Sequence, residues 1–275
     1  MELTQMRLTW DELTKQINDA RNKSDQPTGT PQPWIVNGEE VYKCAKCKDT
    51  GWYGEHEKVL IDSSGRVEAV YRFATRCECV KLAVTKKKLE QSGIDEKMNF
   101  ANYDPRGIEA LDNAKEAAIK YADAFELMEH ERENSIILCG QAGAGKTHLG
   151  TAICRQLIDK NNINVVYFPY RAAVTELKQL ITDETEYRKA VKKYANAPCL
   201  FVDDMCKGKT TESDINIMYE IINYRYLKKL PCIISTEKTV NQLTAWDEAI
   251  GTRVLEMCGD NIVTFTGREL NYRLH

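Results

Sequence analysis

The sequence predicts an α/β protein: a parallel sheet flanked by helices, preceded by a small metal-stapled unit. Three observations carry that expectation. The loop Gly140-Gln141-Ala142-Gly143-Ala144-Gly145-Lys146-Thr147 fits the GxxxxGK[ST] pattern and stands between an apolar run and a helical pattern. Short apolar segments then alternate with helically periodic ones through the rest of the chain. Upstream lie two close cysteine pairs, Cys44/Cys47 and Cys77/Cys79, with a hairpin pattern between them.

Taken in order, Thr9 to Lys23 reads as an amphipathic helix carrying Trp10, Leu13 and Ile17, and Ser24 to Pro33 as a proline-marked linker. Residues 34–91 form the expected zinc-binding unit. Lys58 to Ile61, the turn Asp62-Ser63-Ser64-Gly65 and Val67 to Phe73 read as its hairpin. The hairpin brings the CxxC and CxC pairs together as four soft thiolates, the closed tetrahedral set that zinc takes in structural sites. A redox dithiol or unrelated core cysteines are the alternatives, and His56 is a substitute ligand to weigh. Lys81 to Gln91, with Lys86-Lys87-Lys88, reads as a basic helix whose lysines form a solvated face or, as the minority reading, touch nucleic acid. The other six cysteines fall in apolar segments, where cysteine packs as a small hydrophobe.

Residues 92–275 form the second expected domain. After a connector over Ser92–Pro105 comes a helix from Gly107 to about His130. Ser135 to Cys139 is the strand before the glycine-rich loop, and His148 to Lys160 the helix after it. Glycines there let backbone N–H groups curl around a triphosphate, and the helix N-terminus adds positive potential. Lys146 is expected on the β- and γ-phosphates and the Thr147 hydroxyl on Mg²⁺, with His148 counted among the nucleotide-binding residues. Val165–Phe168 is a strand, followed by helices over Arg171–Ile181 and Glu186–Ala195. Strand Cys199–Val202 then opens into Asp203 and Asp204, expected to hold magnesium and to polarise the attacking water respectively. Ser213–Lys229 reads as a helix with Ile217, Ile221, Tyr224 and Leu227 along one face. Pro231–Ser235 is a strand, Asp247–Met257 a helix and Asn261–Phe265 a last strand. A strand lying between the two phosphate-site motifs suits a motor or switch ATPase better than a small-molecule kinase.

Composition excludes several classes. The chain has 275 residues, 43% of them hydrophobic, enough for one full core and a small extra unit. No apolar stretch has the length or flanks of a signal peptide or membrane span. Ten cysteines without a secretion signal suggest a reducing cytoplasm. A net charge of −3 argues against nonspecific coating of duplexes and still permits a local basic groove for single strands.

The segments "GQAGAGKTHLGTAI", "LFVDDM", "EIINYRYLKKLPCIIST" and "IGTRVLEMC", in that order, resemble the bacterial replicative-helicase loaders of the DnaC/DnaI type, particularly versions carried by phages and prophages of Gram-positive bacteria. The resemblance covers about residue 92 to the end, and the cysteine unit is similar to the helicase-binding domain of DnaI-type loaders. It implies an AAA+ ATPase that self-associates in its ATP state, grips single-stranded DNA and delivers a hexameric DnaB-type helicase onto it. Arg253 matches the arginine that reaches a neighbour's ATP site. Arg225 stands where these loaders also carry an arginine, with plain surface charge as the competing reading. Where relatives carry a Thr-Ser-Asn run ending in a polar sensor, this chain has Ser235-Thr236-Glu237, which shifts that role to Thr236 or weakens it. Ten residues follow Phe265, too few for the helical lid of most AAA+ proteins, as in these loaders. An IstB-type transposition helper is the alternative within the superfamily. A metabolic P-loop kinase and a purely DNA-binding zinc module lie outside it.

Overall fold

The computed structural model describes residues 34–36, 39–42, 44–61, 67–95 and 97–274. The helix expected over Thr9–Lys23, its linker and the hairpin tip at Asp62–Gly65 lie outside the described residues. By internal contacts the chain divides into two compact units, one up to Leu82 and one from Ala83 onward.

In the first unit, strands β1 (Trp34–Val36) and β2 (Glu39–Val41) pair antiparallel, a ladder too short for its alternation to stand out in the sequence. Strands β3 (Trp52–Ile61) and β4 (Val67–Arg76) form the expected hairpin, longer than its apolar core suggested. Its register runs from Trp52↔Arg76 to Ile61↔Val67, so the open end of the ladder delivers the chain directly to the cysteines. Cys77 N–H donates to Gly51 O at 2.7 Å, which closes that end. A Cβ on Gly51 would lie 2.8 Å from the Val80 side chain, and its φ of +79° adds to the demand for glycine.

Helix α1 (Glu78–Ser92) begins in the first unit and continues into the second. Of its lysine run, Lys86 and Lys87 are exposed, whereas Lys88 Nζ donates to Asn162 Oδ1 at 2.6 Å and so fastens the helix to the loop before β6. The second unit then runs α2 (Glu109–Met128), β5 (Ile136–Gly140), α3 (Lys146–Asn161), β6 (Val165–Pro169), α4 (Tyr170–Leu180), α5 (Glu184–Ala195), β7 (Cys199–Met205), α6 (Glu212–Lys228), β8 (Cys232–Thr236), α7 (Val240–Trp246), α8 (Glu248–Cys258) and β9 (Ile262–Phe265). The strands form one five-stranded sheet, β6-β7-β8-β5-β9, with every neighbouring pair parallel. Alternate strand residues feed two cores. Ile137, Cys139, Leu200, Val202 and Ile234 pack with α4 to α8, and Ile136, Leu138, Phe201, Ile233 and Val263 with α1 to α3. Cover on both faces is why the strands read as unbroken apolar runs.

Four expectations need correction. Strand β7, expected to end at the acids, runs on past both of them to Met205, with a register break between Val202 and Met205. The helix expected over Asp247–Met257 is preceded by a second, seven-residue helix, α7, too short to show a period. It starts in a Thr239/Gln242 capping box, and Asp247 then caps α8 by accepting the Ile250 N–H at 2.8 Å. On α6 the buried face is Ile217, Met218, Ile221, Ile222 and Arg225, while Tyr224 and Leu227 point outward, 38% and 65% exposed. Arg225 is therefore not surface charge. It is fully buried, and its guanidinium donates to the carbonyls of Tyr194, Ala195, Ala197 and Pro231 and to Cys232 Sγ. The fork satisfies the end of α5 and the entry to β8 together.

Candidate functional site

The glycine-rich loop leaves β5 at Gly140 (φ +112°), passes Gly143 (+73°) and Gly145 (+83°), and enters α3 at Lys146. Three left-handed backbones in six residues are what turn the chain around a would-be phosphate. Lys146 is buried, and its ammonium donates to Gly140 O at 2.9 Å and Gln141 O at 2.6 Å. Burial lowers its pKa from the usual lysine range, and the nearby carboxylates of Glu237 and Asp204 act against that. A buried cation resting on two carbonyls of its own loop is positioned to exchange them for phosphate oxygens.

Asp203, at the C-terminal end of β7, collects three hydroxyls. Thr147 Oγ1 donates to its Oδ1 at 2.8 Å, Ser235 Oγ to the same oxygen at 2.5 Å, and Tyr167 OH to Oδ2 at 2.9 Å. Cis ligands of an octahedral magnesium at about 2.1 Å stand about 3 Å apart, so the Thr147 and Asp203 oxygens fit adjacent coordination positions. Asp204 adopts φ +55°, and its N–H donates to Ser235 Oγ at 2.8 Å. Its carboxylate accepts from Lys207 Nζ at 2.7 Å, and the same ammonium lies 3.3 Å from Glu237. The hydrogen bond that Lys207 donates to Asp204 leads the effects that raise the Lys207 pKa. Lys207 thus divides one positive charge between the Asp204 and Glu237 carboxylates and offsets part of the negative charge that would repel a γ-phosphate. Thr236 is committed elsewhere, donating to Met205 O at 2.7 Å. Ser235, not Thr236, is the hydroxyl that reaches the acidic pair.

A cavity of about 460 Å³ gathers Lys146, Thr147, His148, Asp204, Lys207 and Glu237 with Met98, Tyr103 and Tyr272. His148 Nε2 is 2.9 Å from Asn99 O, which only accepts, so that nitrogen carries the proton. Arg253 is not part of this cavity's lining. It lies in the middle of α8, donates to Ala249 O at 2.8 Å, and stacks its guanidinium 5.3 Å from the Tyr219 ring and 5.5 Å from that of Tyr226. Gly251 beside it is dictated by helix packing, because a Cβ there would lie 2.8 Å from Thr244 Cα on α7.

The four upstream sulfurs converge as expected, all within 4.8 Å of one another. Cys44 and Cys77 Sγ are 3.7 Å apart, and Cys47 and Cys79 Sγ 3.4 Å, far beyond a disulfide bond and near the roughly 3.8 Å edge of a tetrahedron with 2.3 Å metal–sulfur bonds. The knuckle turn is fixed by left-handed Lys48 and Asp49 and by Cys44 N–H donating to Asp49 Oδ1 at 2.8 Å. Hydrogen bonding, led by the Cys47 backbone N–H, lowers the pKa of the Cys44 thiol to about 7, toward the thiolate a metal needs, while the side-chain hydrogen bond with Cys47 and burial raise that of Cys79. The set can hold one tetrahedral ion with no open position. The remaining six cysteines are all buried, as small hydrophobes. Among the described residues, no helix is long and apolar enough to cross a membrane.

Of these contacts, those of Tyr167 and Ser235 with Asp203 and of Lys207 with Asp204 were missed by the motif reading. Tyr167 carries no signal in a generic strand, while Lys207 could have been flagged as a cation three residues past an acidic pair.

The family described as "IstB-like ATP binding protein" matches residues 81–262. The Bacillus subtilis (strain 168) phage-like element PBSX protein XkdC is 33% identical over 271 residues, which cover 94% of this chain and 96% of that protein. Among solved structures, that of the DnaC helicase loader superposes with a TM-score of 0.54 at 23% identity, covering 62% of this chain and 98% of the other. The structure of DnaI gives a TM-score of 0.52 at 19% identity, covering 61% and 90%. These likenesses show the fold, a parallel five-stranded sheet flanked by helices.

Proposed function

Because the chain belongs to the IstB-like ATP-binding protein family, we propose that it is a slow ATPase that binds a hexameric DnaB-type replicative helicase and delivers it onto single-stranded DNA. The observation that carries the reading is the convergence of Lys146, Thr147, Asp203 and Asp204 at the ends of β5 and β7, in a chain that also bears a four-thiol unit. Lys146 gives up its two carbonyls for the β- and γ-phosphates of ATP. Thr147 and Asp203 would hold a magnesium ion, which would supply charge neutralisation to the phosphates. Asp204 orients the attacking water while Lys207 offsets its charge and that of Glu237. Arg253 completes the site of a neighbouring subunit, so that ATP drives side-by-side assembly and hydrolysis resets it.

The four thiolates hold zinc and staple the unit that grips the helicase. The reduced thiols fit work in the cytoplasm. The family name also accommodates a transposition helper. The cysteine unit, which precedes the matched residues 81–262, favours the loader. Co-purification with a candidate hexameric helicase, with and without ATP, tests the reading. The wild-type chain should retain the helicase in ATP, and Lys146→Ala should lose ATP binding while keeping its metal. Failure to bind any replicative helicase, with capture of a transposase instead, would replace the loader with the helper.

A further inference from the structure

The cavity has a wall that the glycine-rich loop does not supply. After β9 the chain makes two short 3₁₀ turns, Arg268–Leu270 and Tyr272–Leu274, and this segment lies on the loop. Tyr272 N–H donates to Gly143 O at 2.9 Å, Tyr272 OH to Asp104 O at 2.5 Å, and Arg106 Nη2 to Glu269 O at 2.9 Å. Gly143 occupies a free position of the GxxxxGK[ST] pattern, yet a Cβ there would lie 2.1 Å from Asn271 Oδ1. A Cβ on Gly145 would lie 2.7 Å from the Tyr103 ring and 3.3 Å from that of Tyr272. The two rings meet edge to face with centroids 6.1 Å apart, and the Arg106 guanidinium sits 4.3 Å from the Tyr272 centroid. One cavity therefore joins a charged part (Lys146, Asp204, Lys207, Glu237) to an aromatic and thioether part (Met98, Tyr103, Tyr272).

We propose that residues 268–274 form the base wall of the nucleotide site, with the Tyr272–Tyr103 pair receiving the purine ring. This deepens the reading of the cavity as the ATP site and rests on it. A purine presents a broad π face, which an aromatic surface takes up without hydrogen-bond specificity. Three hydrogen bonds (Tyr272 N–H to Gly143 O, Tyr272 OH to Asp104 O and Arg106 Nη2 to Glu269 O) tie the wall to the glycine-rich loop and to residues 104–106 before any ligand arrives, so little ordering is left to binding. Arg106 backs the Tyr272 ring and keeps it oriented.

The test compares the affinities of ATP and of inorganic tripolyphosphate, each with magnesium, by calorimetry on the full chain. Tyr272→Ala should weaken ATP about tenfold or more, the usual scale of a lost base stack, and leave tripolyphosphate within about twofold. Tyr272→Phe should recover most of the loss. Tyr272→Leu, which keeps apolar bulk, gives the same comparison if the alanine variant unfolds. Equal losses for both ligands would show the segment acting through the phosphate loop and overturn the base wall. Unchanged ATP affinity would overturn it too, as would a wild-type protein that binds ATP no more tightly than tripolyphosphate. A wild-type protein that binds neither ligand would instead refute the ATP site itself.

Discussion

Asp204 concentrates the proposed chemistry in one residue with a strained backbone. A non-glycine residue at φ +55° costs about 1 kcal/mol, and it persists because Ser235 Oγ takes its N–H and Lys207 its carboxylate. Aspartate is one methylene shorter than glutamate, so in the proposed role it should align water less well and hold turnover at or below roughly 1 s⁻¹. Asp204→Asn should bind ATP and stall with it uncleaved; rapid hydrolysis by that variant in a single-turnover assay would count against the role. Arg225 is the opposite case, a charge whose work is structural. Arg225→Met leaves the carbonyls of Tyr194, Ala195, Ala197 and Pro231 without their donor. Denaturant unfolding should show a loss of about 3 kcal/mol or more, whereas an unchanged midpoint would mean that water replaces the guanidinium. Its residue type was plain in the sequence, but its burial was not, because an arginine on a helix normally ends in solvent.

At the scale of elements, the hairpin and the cysteine turns act together. The β3–β4 ladder sets which residues face each other at its open end, and that fixes the distance between CxxC and CxC. A unit this small has little core of its own, so a metal on the four thiolates supplies much of its folding free energy. Cys44→Ser should lose bound zinc and helicase binding together while ATP binding persists, because the glycine-rich loop belongs to the other compact unit. Reductively purified wild-type protein without zinc in metal analysis would refute the assignment. Hairpin and cysteine spacing were legible because both are local patterns. The α7 helix was not, since seven residues make only two turns and carry no period to detect.

For the whole molecule, the proposed hydrolysis requires two chains side by side. Arg253 is absent from its own cavity lining and rests on Tyr219 and Tyr226 of α6. A finger supplied to a neighbour changes rates by about 10³–10⁵ where measured, while an arginine with only a surface role contributes about 0–1 kcal/mol. Arg253→Ala should therefore bind ATP yet lose hydrolysis and ATP-dependent assembly. Mixing it with Lys146→Ala should restore part of the activity, since one variant keeps the pocket and the other keeps the finger. A mixture that stays inactive, or an Arg253→Ala chain that hydrolyses alone, would confine Arg253 to its packing role.

The sequence by itself determined the parallel α/β sheet, the glycine-rich loop with Lys146 and Thr147, the acidic pair and the four thiols. Each is written in neighbouring residues, through strand and helix periods and fixed spacings that survive without knowledge of the rest of the chain. Tertiary structure alone decided the contacts between distant segments. Ser235 and Tyr167 meet Asp203 across separations of 32 and 36 residues. Tyr272 closes on Gly143, and Arg225 turns inward beneath α5. Those pairings follow from how strands order themselves in the sheet and how helices pack on its two faces, and no local pattern encodes that order.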